Sequence, residues 1–191
     1  MLSLLEEQDR LGHIDLFYAD EVKFAEAGYV PYGWQFSDED LAIEATRGKS
    51  INCFGFLKRN NEFFCKITQD NINTEFVVGV LDQLSFRITK PTVVVLDNAR
   101  IHTAKKLKEV LPIWQERGLF IFYLPPYSPH LNIIERLWKE IKQGWIKPQD
   151  YLTADTLFYA VNRICANIGK ELFIKFSPVS YTHLRAHETE T

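Results

Sequence analysis

The sequence predicts an α/β fold, and two observations carry that prediction. The first is PTVVVLDNA at 91–99, a continuous β-branched run, followed by a helical stretch and then by the apolar run LFIFYL at 119–124. A strand that is apolar at every position suits burial on both faces of a parallel sheet, and strand, helix, strand at this spacing is a right-handed crossover. The second is a hairpin: SINCFGFL and EFFCKI flank Lys58, Arg59, Asn60 and Asn61, and an Asn-Asn turn between two apolar runs reverses the chain. At 191 residues with 46% hydrophobic content, the chain suits one globular domain with a sizeable core.

The elements follow in order. HIDLFYADE at 13–21 alternates Leu16, Tyr18 and Asp20 against Phe17, Ala19 and Glu21, which is strand periodicity. It places Asp20 near the strand's end and sends Glu21 to the opposite face. Residues 29–36, aromatic and turn-rich, read as a second strand after a loop. The hairpin comes next, then a helix over 73–87 with Phe76, Val77, Val80, Leu81 and Leu84 at helical spacing. After the β-branched strand, a helix over 103–117 turns Ala104, Leu107, Leu111 and Trp114 inward and stops at Gly118. Pro112 inside it should kink or shorten it. LFIFYL is expected as another buried strand. A rigid loop, Pro125 to Pro129, leads to a helix over 133–146 whose apolar stripe is Ile134, Leu137, Trp138, Ile141 and Trp145. A last helix covers 153–169.

Residues 1–12 are read as a linker remnant, 13–176 as the folded domain, and 177–191 as a tail outside it. That tail has no apolar periodicity and resembles translated sequencing-adapter read-through, so the His183 and His187 spacing within it is taken as accidental.

Composition sets limits. A formal net charge of -3 excludes disorder driven by charge excess. The charges are unevenly spread: residues 1–50 hold eleven acids against four Lys/Arg, and residues 98–147 hold nine Lys/Arg against four acids, so one region can present a basic face. Cys53, Cys65 and Cys165 are far apart in sequence with no paired metal spacing, and they read as reduced, buried thiols of a cytosolic protein. The N-terminus is acidic where a secretory signal is positive, and no apolar run reaches membrane-spanning length. No glycine-rich phosphate loop marks a nucleotide-binding enzyme.

Three acids are candidates for chemistry. Asp97 follows a buried strand, where ligands gather at carboxyl ends in open α/β sheets; a turn or helix-capping aspartate is the equal alternative. Asp20 also follows apolar residues, and strand-to-loop punctuation explains it as well. Glu135 fits a loose capping box with Asn132 as the N-cap, or an ion pair with Lys139 four residues on. Together the three are worth more than apart. Carboxylates from two strands and a late helix can converge on one sheet edge, and hard oxygens are what Mg²⁺ requires for two-ion phosphoryl transfer.

Larger motifs sharpen this. LeuAspAsnAlaArgIleHis at 96–102, LeuProProTyrSerProHisLeuAsn at 124–132 and IleGluArgLeuTrpLysGluIleLys at 134–142 resemble the DDE-superfamily endonuclease domain, in the bacterial insertion-sequence branch allied to mariner elements. TyrAlaAspGlu at 18–21 sits where that family places its first catalytic acid, and TyrGlyTrpGln at 32–35 resembles the segment that follows. The resemblance spans about 13–147.

It implies a ribonuclease H-like fold, a mixed five-stranded sheet flanked by helices, with Asp20, Asp97 and Glu135 as catalytic acids holding two Mg²⁺ ions, or Mn²⁺ as substitute. It implies metal-dependent DNA cleavage at transposon ends and strand transfer into target DNA, typically at TA, by a homodimer on paired ends in the bacterial cytoplasm and nucleoid. Asn98, His102 and Asn132 are possible accessory residues. Tyr127 and Ser128 would shape the DNA-side loop, and Arg136, Lys139 and Lys142 would meet phosphates, a solvated helix face being the alternative.

Two departures stand out. Ile133 occupies a position where the family usually has proline, which should lower stability slightly and leave the helix intact. Relatives also carry N-terminal helix-turn-helix modules. A chain beginning almost at the first catalytic strand reads as a fragment, a split reading frame or a decayed copy. A relic that only binds DNA or a partner is the competing reading. Another ribonuclease H-like nuclease is a third, against which the ProProTyrSerPro and AsnIleIleGlu motifs argue.

Overall fold

A computed structural model describes residues 1–25 and 49–176. The expected strand at 29–36 and the tail at 177–191 lie outside the described residues. The strands are β1 (Asp15–Ala25), β2 (Ser50–Leu57), β3 (Phe63–Thr68), β4 (Thr92–Leu96) and β5 (Leu119–Tyr123). They form one five-stranded sheet, as the resemblance implies, and its strand order is β3-β2-β1-β4-β5. β1 pairs antiparallel with β2 and parallel with β4, β2 pairs antiparallel with β3, and β4 pairs parallel with β5. The sheet is therefore mixed, with the hairpin on one side of β1 and the crossover on the other.

The two edges of β1 have different lengths, and this positions the site. Pairing with β4 runs from Asp15↔Thr92 to Tyr18↔Val95, whereas pairing with β2 continues to Ala25↔Ser50. Asp20, expected near the strand's end, instead sits in mid-strand opposite Gly55, because β2 keeps supplying backbone partners after β4 has stopped. Asp20 thus lies just beyond the carboxyl end of β4.

Alternation along β1 divides the core. Phe17 and Ala19 face a cluster with Val77 and Leu81 of α2 (Thr74–Ser85) and Leu107 and Trp114 of α4 (Lys105–Glu116), which follows a short turn of helix, α3 (Arg100–Thr103). Leu16, Tyr18, Val22 and Phe24 face Leu137 of α5 (Ile134–Glu140), Ile141 just after it, and Leu157, Val161 and Ile164 of α6 (Ala154–Asn167). Each large apolar side chain fully buried here contributes about 1.5–3 kcal/mol. Asn73 caps α2, its side chain accepting from the Phe76 N–H at 2.9 Å, and Thr153 caps α6.

Several expectations need correction. β5 is an edge strand rather than a buried one; β4 covers only one side of it, and Phe120 is 40% exposed. Pro112, expected to kink or shorten α4, does not end it, and the helix runs on to Glu116. The proline sits on the solvent side, where a carbonyl left without its N–H donor is open to water. The helix after the proline loop is α-helical only to Glu140, and Ile141–Trp145 continue it as a π-helical turn. Where a linker remnant is expected, Leu2–Arg10 forms a helix, α1. Its Glu6 accepts from the Tyr18 hydroxyl at 2.5 Å and from Arg59 Nε at 2.8 Å. Asp9 and Asp15 both pair with the buried Lys58, at 3.1 and 2.5 Å.

Two close approaches tie the hairpin to what covers it. Gly55 leaves room for the Trp138 indole, since a Cβ there would lie 2.5 Å from its ring. Asn61, at φ 69, makes the left-handed turn after β2 and is buried. Its amide donates to the Ile174 carbonyl at 3.1 Å and accepts from the Ile174 N–H at 2.6 Å.

Candidate active site

Asp97 is the first residue after β4, and its turn leads straight into α3. One carboxylate oxygen, Oδ1, accepts from the Ala99 N–H at 2.9 Å and lies 2.6 Å from His102 Nδ1. The turn role weighed against a chemical one is therefore real, and among the described residues both of these contacts fall on Oδ1 and none on Oδ2. His102 is fully buried, and its Nε2 lies 3.1 Å from Glu21 Oε2, an ion-pair contact without hydrogen-bond alignment. Burial works against charge on the ring, but Asp97 and Glu21 on either side outweigh it and push the imidazole up to about 9. His102 in turn holds the Asp97 carboxyl below its ordinary value, with the Ala99 N–H helping and burial opposing.

Glu21 is the residue whose part was least legible. Alternation correctly places it on the face opposite Asp20, but that face is where α3 delivers His102. A buried histidine five residues after a strand-end aspartate needs a second acceptor, and that was the available signal.

Asp20 is surrounded by like charge. Burial, then Glu21 and Asp97, push its carboxyl up to about 8, His102 opposes them, and Glu135 adds to the rise. Glu135 is itself raised, first by burial and then by Asp97. The sequence-predicted acids Asp20, Asp97 and Glu135 thus act on one another across three elements.

The capping box proposed for Glu135 does not form. Asn132 turns its side chain away from the helix, and its amide donates to the Ala19 carbonyl at 3.1 Å. The helix starts at Ile133 without a side-chain cap. Asn132 thereby fastens the start of α5 to β1 one residue before Asp20, and its Oδ1 is buried without a partner among the described residues. No Glu135–Lys139 ion pair is formed among the described residues, so Glu135 is left facing the other acids.

Asn98 donates to the Leu124 carbonyl and so ties the Asp97 turn to the proline loop. That loop and turn enclose a cleft of about 370 Å³ lined by Asp97, Asn98, Pro125, Tyr127 and Ser128. Tyr127 is fully exposed, with a backbone φ of 56. Ser128 donates to the Pro126 carbonyl at 3.3 Å. A second cleft of about 300 Å³ runs past Asn132, Glu135 and Arg136 to Arg59. Arg136 and Lys139 are exposed. Lys142 is half-buried over the Phe24 ring at 5.8 Å; burial lowers its pKa, and the Asp20 charge partly restores it. A cavity of about 530 Å³ lies at the opposite ends of the strands against Asp15 and Thr92 and touches none of the candidate acids.

Among the described residues the three acids do not form a group with ligand atoms all within 4.8 Å, as the cysteines do, but their carboxyls are near enough to perturb one another, and hard carboxylate oxygens at the end of a parallel strand suit a divalent cation such as Mg²⁺. Mutual repulsion among these acids is the electrostatic condition that such a cation relieves.

Comparison with solved structures gives the same architecture. The Mos1 mariner paired-end complex with Mn is similar with a TM-score of 0.58 and 12% identity, over 86% of this chain and 52% of that one. The corresponding complex with Mg gives 0.57 and 12% over the same shares. The Mos1 transposase paired-end complex with left transposon end gives 0.56 and 14%, again over 86% and 52%. At such identities the likeness is one of fold, and the chain spans about half the length of these proteins. No curated protein sequence matches it. The family model of the DDE superfamily endonuclease matches residues 15–158, from the first residue of β1 into α6. This chain belongs to the DDE superfamily endonuclease family.

Proposed function

We propose that residues 13–176 are the catalytic core of a transposase that cleaves DNA at transposon ends and joins the freed 3′-hydroxyl to target DNA. The observation that supports this reading is that Asp97, at the end of β4, lies near enough to raise the carboxyls of both Asp20 on β1 and Glu135 on α5, adding to their burial. Asp20, Asp97 and Glu135 would hold Mg²⁺, with Mn²⁺ as substitute. Two such ions supply Lewis acidity and lower the pKa of water for attack on a phosphodiester.

The chain's own residues prepare that site. His102 holds Asp97 through one oxygen and leaves the other for a cation. Asn132 fixes the start of α5, and with it Glu135, against β1. Asn98 holds the Pro125–Pro129 loop beside Asp97, where Tyr127 and Ser128 would meet DNA. Arg136, Lys139 and Lys142 would take phosphates along the helix after Glu135. A TA target, a homodimer on paired ends and a bacterial cytoplasmic, nucleoid-associated setting follow from the resemblance to insertion-sequence transposases. No helix among the described residues is long and apolar enough to cross a membrane.

The test is a Mn²⁺ soak of crystals of the chain. Anomalous density is expected between Asp20 and Asp97 with Glu135 at its margin, and Asp97→Asn should weaken or abolish it. Carboxylates that stay empty at high Mn²⁺ would favour a decayed copy that folds without catalysing. Carboxylates found far apart would overturn the assignment.

A further inference from the structure

The three cysteines, remote in sequence and without metal spacing, are brought together by the fold. Cys53 lies on β2, Cys65 on β3 and Cys165 on α6, and their sulfurs all lie within 4.8 Å of one another. The strand register accounts for two of them. Gly55 opposes Cys65 and Cys53 opposes Ile67, so the two cysteines are diagonal neighbours on one face. That face packs under α6, which supplies the third. All three are free thiols, Cys53 buried and the other two partly so.

We propose that Cys53, Cys65 and Cys165 form a three-thiolate site for a thiophilic d¹⁰ cation, Zn²⁺ or Cu⁺. Zn–S bonds of about 2.3 Å place sulfurs roughly 3.8–4.0 Å apart in tetrahedral or trigonal geometry. A triangle with no side above 4.8 Å reaches that by small side-chain rotations. Thiolate donors select soft cations over Mg²⁺, so this site is chemically separate from the carboxylates. Three protein ligands satisfy trigonal Cu⁺ outright. For Zn²⁺ they leave a fourth position for water or another small donor, which the partial exposure of Cys65 and Cys165 accommodates. Binding displaces the thiol protons, up to three per cation. The cation would cross-link the edge strand β3 and the last helix to β2, the strand that carries Gly55 opposite Asp20.

The experiment uses the full chain, reduced and kept anaerobic, with the metal alone as probe. Zn²⁺ and Cu⁺ are titrated separately against chromophoric chelators, and Co²⁺ is added to read thiolate-to-metal charge-transfer bands. One cation per chain is expected, with a thiolate band, proton release and a raised melting temperature, all unchanged in Asp97→Asn. Tight binding in one titration and not the other identifies the ion. Cys165→Ser should weaken binding at least roughly tenfold to a hundredfold, the loss that removal of even an outer-shell partner brings. If it does not fold, Cys65→Ser on the edge strand serves, and the band intensity of the wild type itself counts the thiolates. The proposal is overturned by absence of the charge-transfer band with no competition from either cation. Binding that persists undiminished in the serine variants, or a native disulfide between two of the three cysteines, also overturns it.

Discussion

Replacing His102 by glutamine keeps a polar side chain of similar size between Asp97 and Glu21 but removes the positive charge. In the fold the imidazole is raised to about 9, against 6.5 when free. Because the folded value is the higher one, the histidine's contribution to stability is fully present below about pH 6.5 and disappears as pH rises through about 9. That gap corresponds to about 3 kcal/mol at most. The ring is fully buried, but the Asp97 and Glu21 side chains are 44% and 33% exposed and solvent screens them. A net contribution of about 1–2 kcal/mol is the better expectation. Urea denaturation with and without His102→Gln at about pH 6 and about pH 9.5, without added metal and in an Asp20→Asn background, measures it, since titrating groups remote from His102 cancel in the difference and Asp20, which His102 perturbs, is removed. The variant should be less stable by that amount at the lower pH and nearly equal to wild type at the higher. A stability difference that does not change with pH refutes the ion-paired histidine.

Three further outcomes follow from specific contacts. Gly55→Ala places a methyl group 2.5 Å from the Trp138 ring; it should destabilise by about 1–3 kcal/mol and shift the tryptophan fluorescence, while moving α5 enough to weaken Mn²⁺ binding at Glu135. Asn61→Ala removes both hydrogen bonds to Ile174 and leaves alanine at φ 69; urea denaturation should show a loss of about 2–4 kcal/mol. Asp20, raised to about 8, carries a proton at neutral pH that a cation bound there would displace; calorimetric Mn²⁺ titration near pH 7 should therefore show an enthalpy that depends on the buffer's ionisation heat, and the dependence should vanish in Asp20→Asn.

How much of this was legible depends on how local the cause was. The β4 run, the hairpin turn at Asn61 and the helical stripes of α2 and α6 follow from burial periodicity and turn chemistry within a few residues, and each formed where expected. The extent of β1 did not, because its second half is held by β2, some thirty residues on. LFIFYL resembles a central strand in composition, yet nothing local records that it has a neighbour on only one side. Asn132 illustrates the same limit at the site. Its spacing to Glu135 is that of a cap, but the Ala19 carbonyl, far away in sequence, is the acceptor it reaches. The cysteines differ from both cases, since strand register and a helix crossing bring them together and no sequence spacing encodes either.

The site's architecture also explains why its acids come from separate elements. Asp20, Asp97 and Glu135 repel one another, so their convergence opposes folding, and each must be held by something stronger than its own preference. For Asp20 that anchor is the β1–β2 ladder, which continues past it to Ala25. For Asp97 it is the Ala99 N–H together with His102, the one group there that gains by staying charged. Glu135 is held indirectly, through Asn132 to Ala19 and through Trp138 seated over Gly55. The raised carboxyl of Asp20, due first to burial and then to the neighbouring acids, is what these anchors leave unrelieved. Since Asp20 is ionised in the unfolded chain well below neutral pH but holds its proton in the fold, it subtracts stability as pH rises from about 4 to about 8. A cation that binds the three acids returns that stability, which couples loading of the site to tightening of the elements around it.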